Sequence, residues 1–311
     1  MDVPGIVRPA PTGRIQRMSA VRVAVVDVGA NTVRLLVAGR GGAVREERAY
    51  VGLGEEVERT GRLSEKKISA AADAAAARVR RARKLGCSWI EVLVTSPGRQ
   101  SANGEELVDA LRDATAAPVR VLSAEEEGAL AWRGAVTASG DLPDTVAVCD
   151  VGGGSAQLAV GTRQGPPAWV RSVDVGSLRL TRRAFENDPP DAADLARAQQ
   201  VVADAFAEVA PPLPLAGIAV GGTARGLRRV VGPELTQDTL LEAVRRLAKR
   251  PSRRIAKDFG VDEDRARTLT AGALIVLEIQ RRIGVPLQVG RGGLREGAAL
   301  MLLDAAAAAS A

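Results

Sequence analysis

Two segments of this chain carry the same arrangement of residues able to hold charge. Val23–Ala38 reads VAVVDVGANTVRLLVA and Val146–Gly161 reads VAVCDVGGGSAQLAVG, and eight of sixteen positions are identical at a constant spacing of 123. Each is an apolar run, an aspartate, a glycine turn with small hydroxyl or amide residues, and a second apolar run. An aspartate at a strand end can hold a hydrated cation, and glycines let backbone N–H groups turn toward phosphate oxygens. Asp27 and Asp150 are the metal candidates; Gly29, Asn31, Thr32, Gly152, Gly153, Gly154 and Ser155 are the phosphate-holding candidates. A single glycine-rich turn is equally an ordinary hairpin. Two with the same aspartate point to one phosphorylated ligand between two similar domains. Neither turn fits the dinucleotide fingerprint, which needs a helix after it, or the P-loop, which needs Gly-Lys-Ser/Thr.

There is no histidine. Ser-His-Asp and Cys-His catalysis and every histidine-based metal site are therefore excluded. Proton transfer near neutral pH falls to carboxylates, and a metal must be held by oxygens, which points to a hard ion such as magnesium. Cys87 and Cys149 share no metal or redox spacing and read as buried thiols. Net charge is +6, and all but five of the 43 basic residues are arginine. Arginine forks match phosphate oxygens, although the abundance of Ala and Gly makes a nucleotide composition bias an equal source of the count. The sign favours an anionic partner. Nucleic acid is not the one expected: with one Tyr, three Phe and three Trp, no stacking platform or zinc finger is visible.

The elements that must position these loops follow from periodicity and caps. At about 150 residues per domain the length gives two domains: residues 20–139 and 140–311, with 1–19 as a flexible tail. Strands are expected at 21–28, 32–38 and 43–51, a helix over Ser64–Leu85 capped by Ser64 and stopped at Gly86, a strand at Trp89–Val94 and a turn at Thr95–Arg99. A helix at Gly104–Thr115, a strand at Val119–Leu122 and a helix from Ser123 close the first cycle. The second repeats the three-strand meander and adds helices, a strand at Gly217–Val220, a loop at Gly221–Thr223, and a last helix from Leu294 that can return to the first domain. Alternating strands and helices imply layered α/β domains. No apolar run approaches the roughly 20 residues that cross a bilayer, the N-terminus has no secretory pattern, and the cytoplasm is the expected location.

The segments VVDVGANTVRLLV, VTSPGRQ, VLSAEEEGALAWRGA, VCDVGGGSAQLAVG, DVGSLRLTRRAF, AVGGTARGL and GGLREGAAL, in this order, resemble the exopolyphosphatase / guanosine pentaphosphate phosphohydrolase family of the actin-like ATPase and sugar-kinase superfamily. The resemblance runs from Arg22 to about Leu303. It implies two tandem ribonuclease H-like (actin-like ATPase) domains, each a mixed β-sheet flanked by helices, with an interdomain cleft. It also implies magnesium-dependent removal of terminal phosphate from inorganic polyphosphate or the pentaphosphate alarmone. By the same resemblance Glu127 is the general base, Asp27 and Asp150 position metal and phosphates, Arg99 contacts phosphate, and Gly222 and Thr223 form a third loop near the ligand. Arg295 and Glu296 match a segment for which a structural or domain-coupling role is expected. Family members often dimerise, so a homodimer is a partner to test.

Three positions depart from the family pattern: Gln157 stands where Glu is usual, Ala124 replaces Gly, and Gly290-Arg291-Gly292 replaces a more usual Ser-Asp-Arg. A glutamine is neither a base nor an anionic ligand, but it can orient water by hydrogen bonds; the related ecto-apyrases carry Gln in a similar loop. The chain is expected to lack the extra C-terminal domain of longer members, and with it long-chain processivity. Two alternatives stay open at this level: a non-catalytic sensor of polyphosphate or alarmone, and an actin-like-fold kinase or ATPase.

Overall fold

A computed structural model describes residues 21–309 of the chain; the expected tail lies outside them. The first cycle runs β1 (Arg22–Val28), β2 (Thr32–Gly39), β3 (Gly42–Tyr50), α1 (Leu53–Thr60), α2 (Glu65–Lys84), β4 (Trp89–Val94), α3 (Ser96–Gln100), α4 (Gly104–Thr115), β5 (Val119–Val121) and α5 (Ala124–Ala138). β1 and β2 are covered on both faces, which is why they read as near-continuous Val, Leu and Ala. β3 is the exposed edge and carries the charges. The sheet order is β3-β2-β1-β4-β5, with β1, β4 and β5 parallel and the β1–β2–β3 meander antiparallel. Ser64 caps α2 as expected by accepting from the Lys67 N–H.

The second cycle runs β6 (Thr145–Val151), β7 (Ala156–Thr162), β8 (Pro167–Val173), α6 (Ser177–Ala184), α7 (Ala192–Phe206), β9 (Ala216–Val220), α8 (Gly221–Val231), β10 (Glu234–Leu235), α9 (Gln237–Ala248), α10 (Ser252–Phe259), α11 (Glu263–Ile283), β11 (Leu287–Val289) and α12 (Leu294–Ala308). Its sheet, β8-β7-β6-β9-β11-β10, repeats the first order and adds β10 at one edge. The two-sheet α/β architecture is the one expected. Three local expectations are corrected. The turn at Thr95–Arg99 winds into α3, the loop at Gly221–Thr223 is the first turn of α8, and α1 has no counterpart in the sequence reading. Short helices of this kind lack the length over which a 3.6-residue period shows.

With few aromatics, the core is built from Val, Leu, Ile and Ala, and Trp132 and Phe206 are the only fully buried large rings among the described residues. Both cysteines are buried free thiols, as expected. α11 is buried almost all round and forms the spine of the second core. Two helices tie the sheets together. α5 sends Ala131, Trp132 and Ala135 against β6, β7 and β9, while its Leu130 joins the β1–β2 face. α12, last in the chain, packs Ala298 and Ala299 on that same β1–β2 face. α5 and α12 cross where a side chain on Gly134 would begin 2.0 Å from the Gly293 carbonyl oxygen. Only glycine permits that approach, which packs α5 and α12 together between the two sheets.

Candidate active site

The cleft lies at the carboxyl ends of β1 and β6, where ligands of open α/β sheets bind. A narrow cleft of about 140 Å³ lies between the two glycine turns, the start of α8 and the start of α12. Asp27, Gly29, Asn31, Thr32, Glu127, Asp150, Gly152, Gly153, Gly154, Ser155, Gln157 and Gly222 all line it. The turns touch: Gly153 of the second abuts Ala30 and Asn31 of the first. The N–H groups of Ala30, Asn31, Gly153 and Gly154 make no hydrogen bond among the described residues. Such unpaired amides in a turn form an anion-binding nest.

Antiparallel register gives each aspartate a fixed neighbour. Asp27 sits opposite Arg34 across β1–β2, and Asp150 opposite Gln157 across β6–β7. Both aspartates are half-buried. Burial raises both carboxyl pKa values. Arg34 and Arg295 pull Asp27 back down, and Arg225 and Arg34 do so for Asp150. Asp150 packs so closely against Gly221 (φ +82°) that a side chain there would begin 2.0 Å from its Oδ1. The Asn31 carboxamide oxygen is buried without any hydrogen-bond partner among the described residues.

α5 delivers Glu127. Ser123 accepts from the Glu126 N–H and Glu126 accepts from the Ser123 N–H, a capping box that fixes where the helix starts. Successive helical residues then point about 100° apart, so the three glutamates separate. Glu125 faces solvent, Glu126 closes the box and pairs with Arg120, and Glu127 turns into the cleft at 4% exposure. Its Oε2 accepts from Gln157 Nε2 at 2.8 Å and from Arg99 Nη2 at 3.0 Å. Its Oε1 has no partner among the described residues. Burial raises the Glu127 pKa to about 7 against the lowering effect of Arg99, and Asp27 and Asp150 add to the rise. Gln157 Nε2 also reaches Ser155 Oγ at 2.8 Å and Ser172 Oγ at 3.1 Å. A carboxyl group with that pKa in a cleft can accept a proton at neutral pH.

Two expected residues stand elsewhere. The Thr223 hydroxyl is buried and donates to the Val151 carbonyl at 2.7 Å, tying α8 to the end of β6. Arg99 is off the cleft wall, its guanidinium facing Glu127 and the Leu122 carbonyl. The cations on the wall are Arg34, Arg225, Arg265 and Arg295. Arg295 also pairs with Glu46 on β3. Neither the Arg225 nor the Arg265 guanidinium makes a hydrogen bond or ion pair among the described residues. Burial and the charges of Arg34 and Arg225 lower the Arg265 pKa to about 10. Sequence reasoning passed over these two because thirty-odd other arginines look alike; Arg225 alone carried a signal, one helical turn after Gly222.

A cleft with paired Asp–Gly turns, a carboxylate poised near neutrality and uncompensated arginines fits a phosphoryl site. The family model described as the Ppx/GppA phosphatase family matches residues 35–306. The chain belongs to the Ppx/GppA phosphatase family. It is 28% identical over 308 residues to exopolyphosphatase 1 of Mycobacterium tuberculosis, covering 92% of this chain and 89% of that one. It is 26% identical over 319 residues to exopolyphosphatase 2 of the same organism, covering 92% and 99%. The crystal structure of the Aquifex aeolicus Ppx/GppA family member superposes with a TM-score of 0.76 at 25% identity, covering 93% of this chain and 98% of that one. An exopolyphosphatase from Cytophaga hutchinsonii, 20% identical, shares the fold with a TM-score of 0.82 and coverage of 91% and 98%. The two mixed sheets flanked by helices are the fold shared with the Aquifex aeolicus family member. Among the described residues, no helix is long and apolar enough to cross a membrane.

Proposed function

We propose that this protein is a divalent-cation-dependent phosphohydrolase that removes terminal phosphate from inorganic polyphosphate or guanosine pentaphosphate by attack of water. The observation that carries the reading is Glu127: buried in the cleft between the two turns, one oxygen tied to Arg99 and Gln157, the other free. Water held by Glu127 Oε1 loses its proton to that oxygen as its own oxygen attacks the terminal phosphorus in line. The bridging P–O bond breaks, and the shortened chain leaves. Gln157, itself anchored on the Ser155 hydroxyl, fixes the angle of approach by holding Glu127. The unpaired amides of both turns, with Arg34, Arg225 and Arg265, bind the phosphate oxygens, where charge stabilisation supplies most of the catalysis.

The residues fit a hard divalent ion such as magnesium. Asp27 and Asp150 offer carboxylate oxygens that burial discourages from ionising without a cation. The partnerless Asn31 oxygen can accept from water but gains nothing from a phosphate oxygen, itself an acceptor. No cluster of three acidic, cysteine or histidine ligands exists among the described residues, so most of the ion's shell would be water, as is usual for magnesium. When bound, such an ion neutralises charge on the phosphoryl oxygens.

The decisive assay measures phosphate release by the purified protein from short polyphosphate, long polyphosphate, pentaphosphate and ATP, with and without magnesium. Release from polyphosphate or pentaphosphate that disappears with chelator is the expected result. Ligand binding without release across several divalent ions would instead make the protein a sensor, and sugar-dependent ATP turnover would make it a kinase.

A further inference from the structure

Arg99, expected on the phosphates, lies off the cleft wall and against Glu127. It projects from α3, a five-residue helix directly after β4. The Gly98 N–H donates to the Thr95 carbonyl, and the Ser101 hydroxyl and N–H both donate to the Pro97 carbonyl, so this turn is rigid. From it the guanidinium donates through Nη1 to the Leu122 carbonyl at 2.6 Å and through Nη2 to Glu127 Oε2 at 3.0 Å. Leu122 is the residue before Ser123, the cap of α5. Arg99 thus grips the helix carrying Glu127 at two points, its entry backbone and its carboxylate. Its side chain is one-fifth exposed and its partner's one-twentieth, so this pair is held out of bulk water.

We infer that Arg99 is a positioning residue: it acts on the reaction through Glu127, fixing one carboxylate oxygen so that the other faces the attacking water, and it does not bind substrate phosphate. The inference rests on the hydrolase reading for its catalytic meaning, but its physical core, the coupling of Arg99 to Glu127, stands apart from any turnover. The charged groups facing Glu127 are Arg99 from α3, Asp27 from β1 and Asp150 from β6; β7 contributes the neutral Gln157. Arg99 is the cation among them, so its loss leaves burial and two like charges unopposed, and the carboxyl holds its proton to higher pH.

The test follows the Glu127 carboxyl directly by NMR, in protein labelled with 13C at the glutamate carboxyls, using Glu127→Gln to assign the signal. The expected midpoint lies near the pKa of about 7 in the unaltered protein and rises by about one pH unit in Arg99→Gln. Arg99→Lys, which keeps the charge and loses the fork, returns part of the shift. In phosphate release, Arg99→Gln lowers kcat at neutral pH about ten- to a hundredfold. KM stays within about threefold, and the acid limb of the rate profile moves upward with the midpoint. A midpoint unmoved in both Arg99 variants overturns the inference, as does a KM effect with kcat and the acid limb unchanged, which would place Arg99 on phosphate. If Arg99→Gln does not fold, Arg99→Lys carries the same two readouts. Absence of phosphate release in the unaltered protein would sink the hydrolase reading and leave the NMR result to decide the coupling.

Discussion

The two glycine turns share a backbone and differ in what faces the aspartate. In the first, Asp27 looks across the hairpin at Arg34; in the second, Asp150 looks at Gln157. Arg34 is half-buried, and among the described residues its guanidinium reaches only the Thr32 hydroxyl, at 3.0 Å, leaving most of its donors for a ligand. Gln157 is buried, and its amide is committed to Glu127, Ser155 and Ser172. On the proposed reading, one copy of a duplicated hairpin supplies charge for an anion, and the other supports the base. The difference teaches that a repeat sets the frame of a site, while the chemistry lies in the one cross-strand position that its two copies do not share.

That division of labour can be broken at graded cost. The largest effect is expected from Glu127→Gln, which removes the group the second hairpin supports. The value of kcat should fall about 10²–10⁴-fold with KM little changed, measured as phosphate release with polyphosphate and with pentaphosphate. Full activity would place the base elsewhere. Because burial raises the Glu127 pKa to about 7 and a base works only when deprotonated, the proposed role requires the unaltered protein to lose rate as pH falls through that value. Arg34→Ala should raise KM roughly 10–100-fold, as expected for losing charge-assisted hydrogen bonds to the ligand. It should leave the pH profile in place and flatten the dependence of KM on salt. A kcat loss with KM unchanged would erase the contrast between the hairpins.

Gln157→Leu sharpens it from the other side. Losing an N–H donor to the carboxylate raises the Glu127 pKa, so kcat should drop about tenfold at neutral pH and recover in part at alkaline pH. The smallest effect is expected from Asn31→Ala. Its carboxamide oxygen has no partner to lose, so the melting temperature of the ligand-free protein should hold within the few degrees that correspond to about 1 kcal/mol or less. Only the magnesium concentration needed for half-maximal rate should rise. A fall in stability larger than this would show that the oxygen serves the fold.

Much of this protein was legible from its residues. The duplicated Asp–Gly segments sit on one strand-turn-strand frame because continuous apolar runs bounded by glycine turns have few other ways to bury themselves. Ser64 and Ser123 marked the helix starts they cap, because a capping side chain acts within its own turn. The absence of histidine narrowed the base to a carboxylate, and family resemblance singled out Glu127. The arginines were not legible. Arg34, Arg225, Arg265 and Arg295 reach one cleft from four elements spread over some 260 residues, and nothing local separates them from the arginines that face solvent. Arg99 was legible as a special residue but not in its direction, since its partner at Glu127 comes from another helix 28 residues away. The sequence by itself therefore determined strands, turns, caps and the kind of chemistry, all set by neighbours along the chain. Only the tertiary structure decided which charges meet. Burial and Coulomb forces act through space, so the poise of Glu127 and the unbalanced charge of the arginines exist only once the two sheets close on each other.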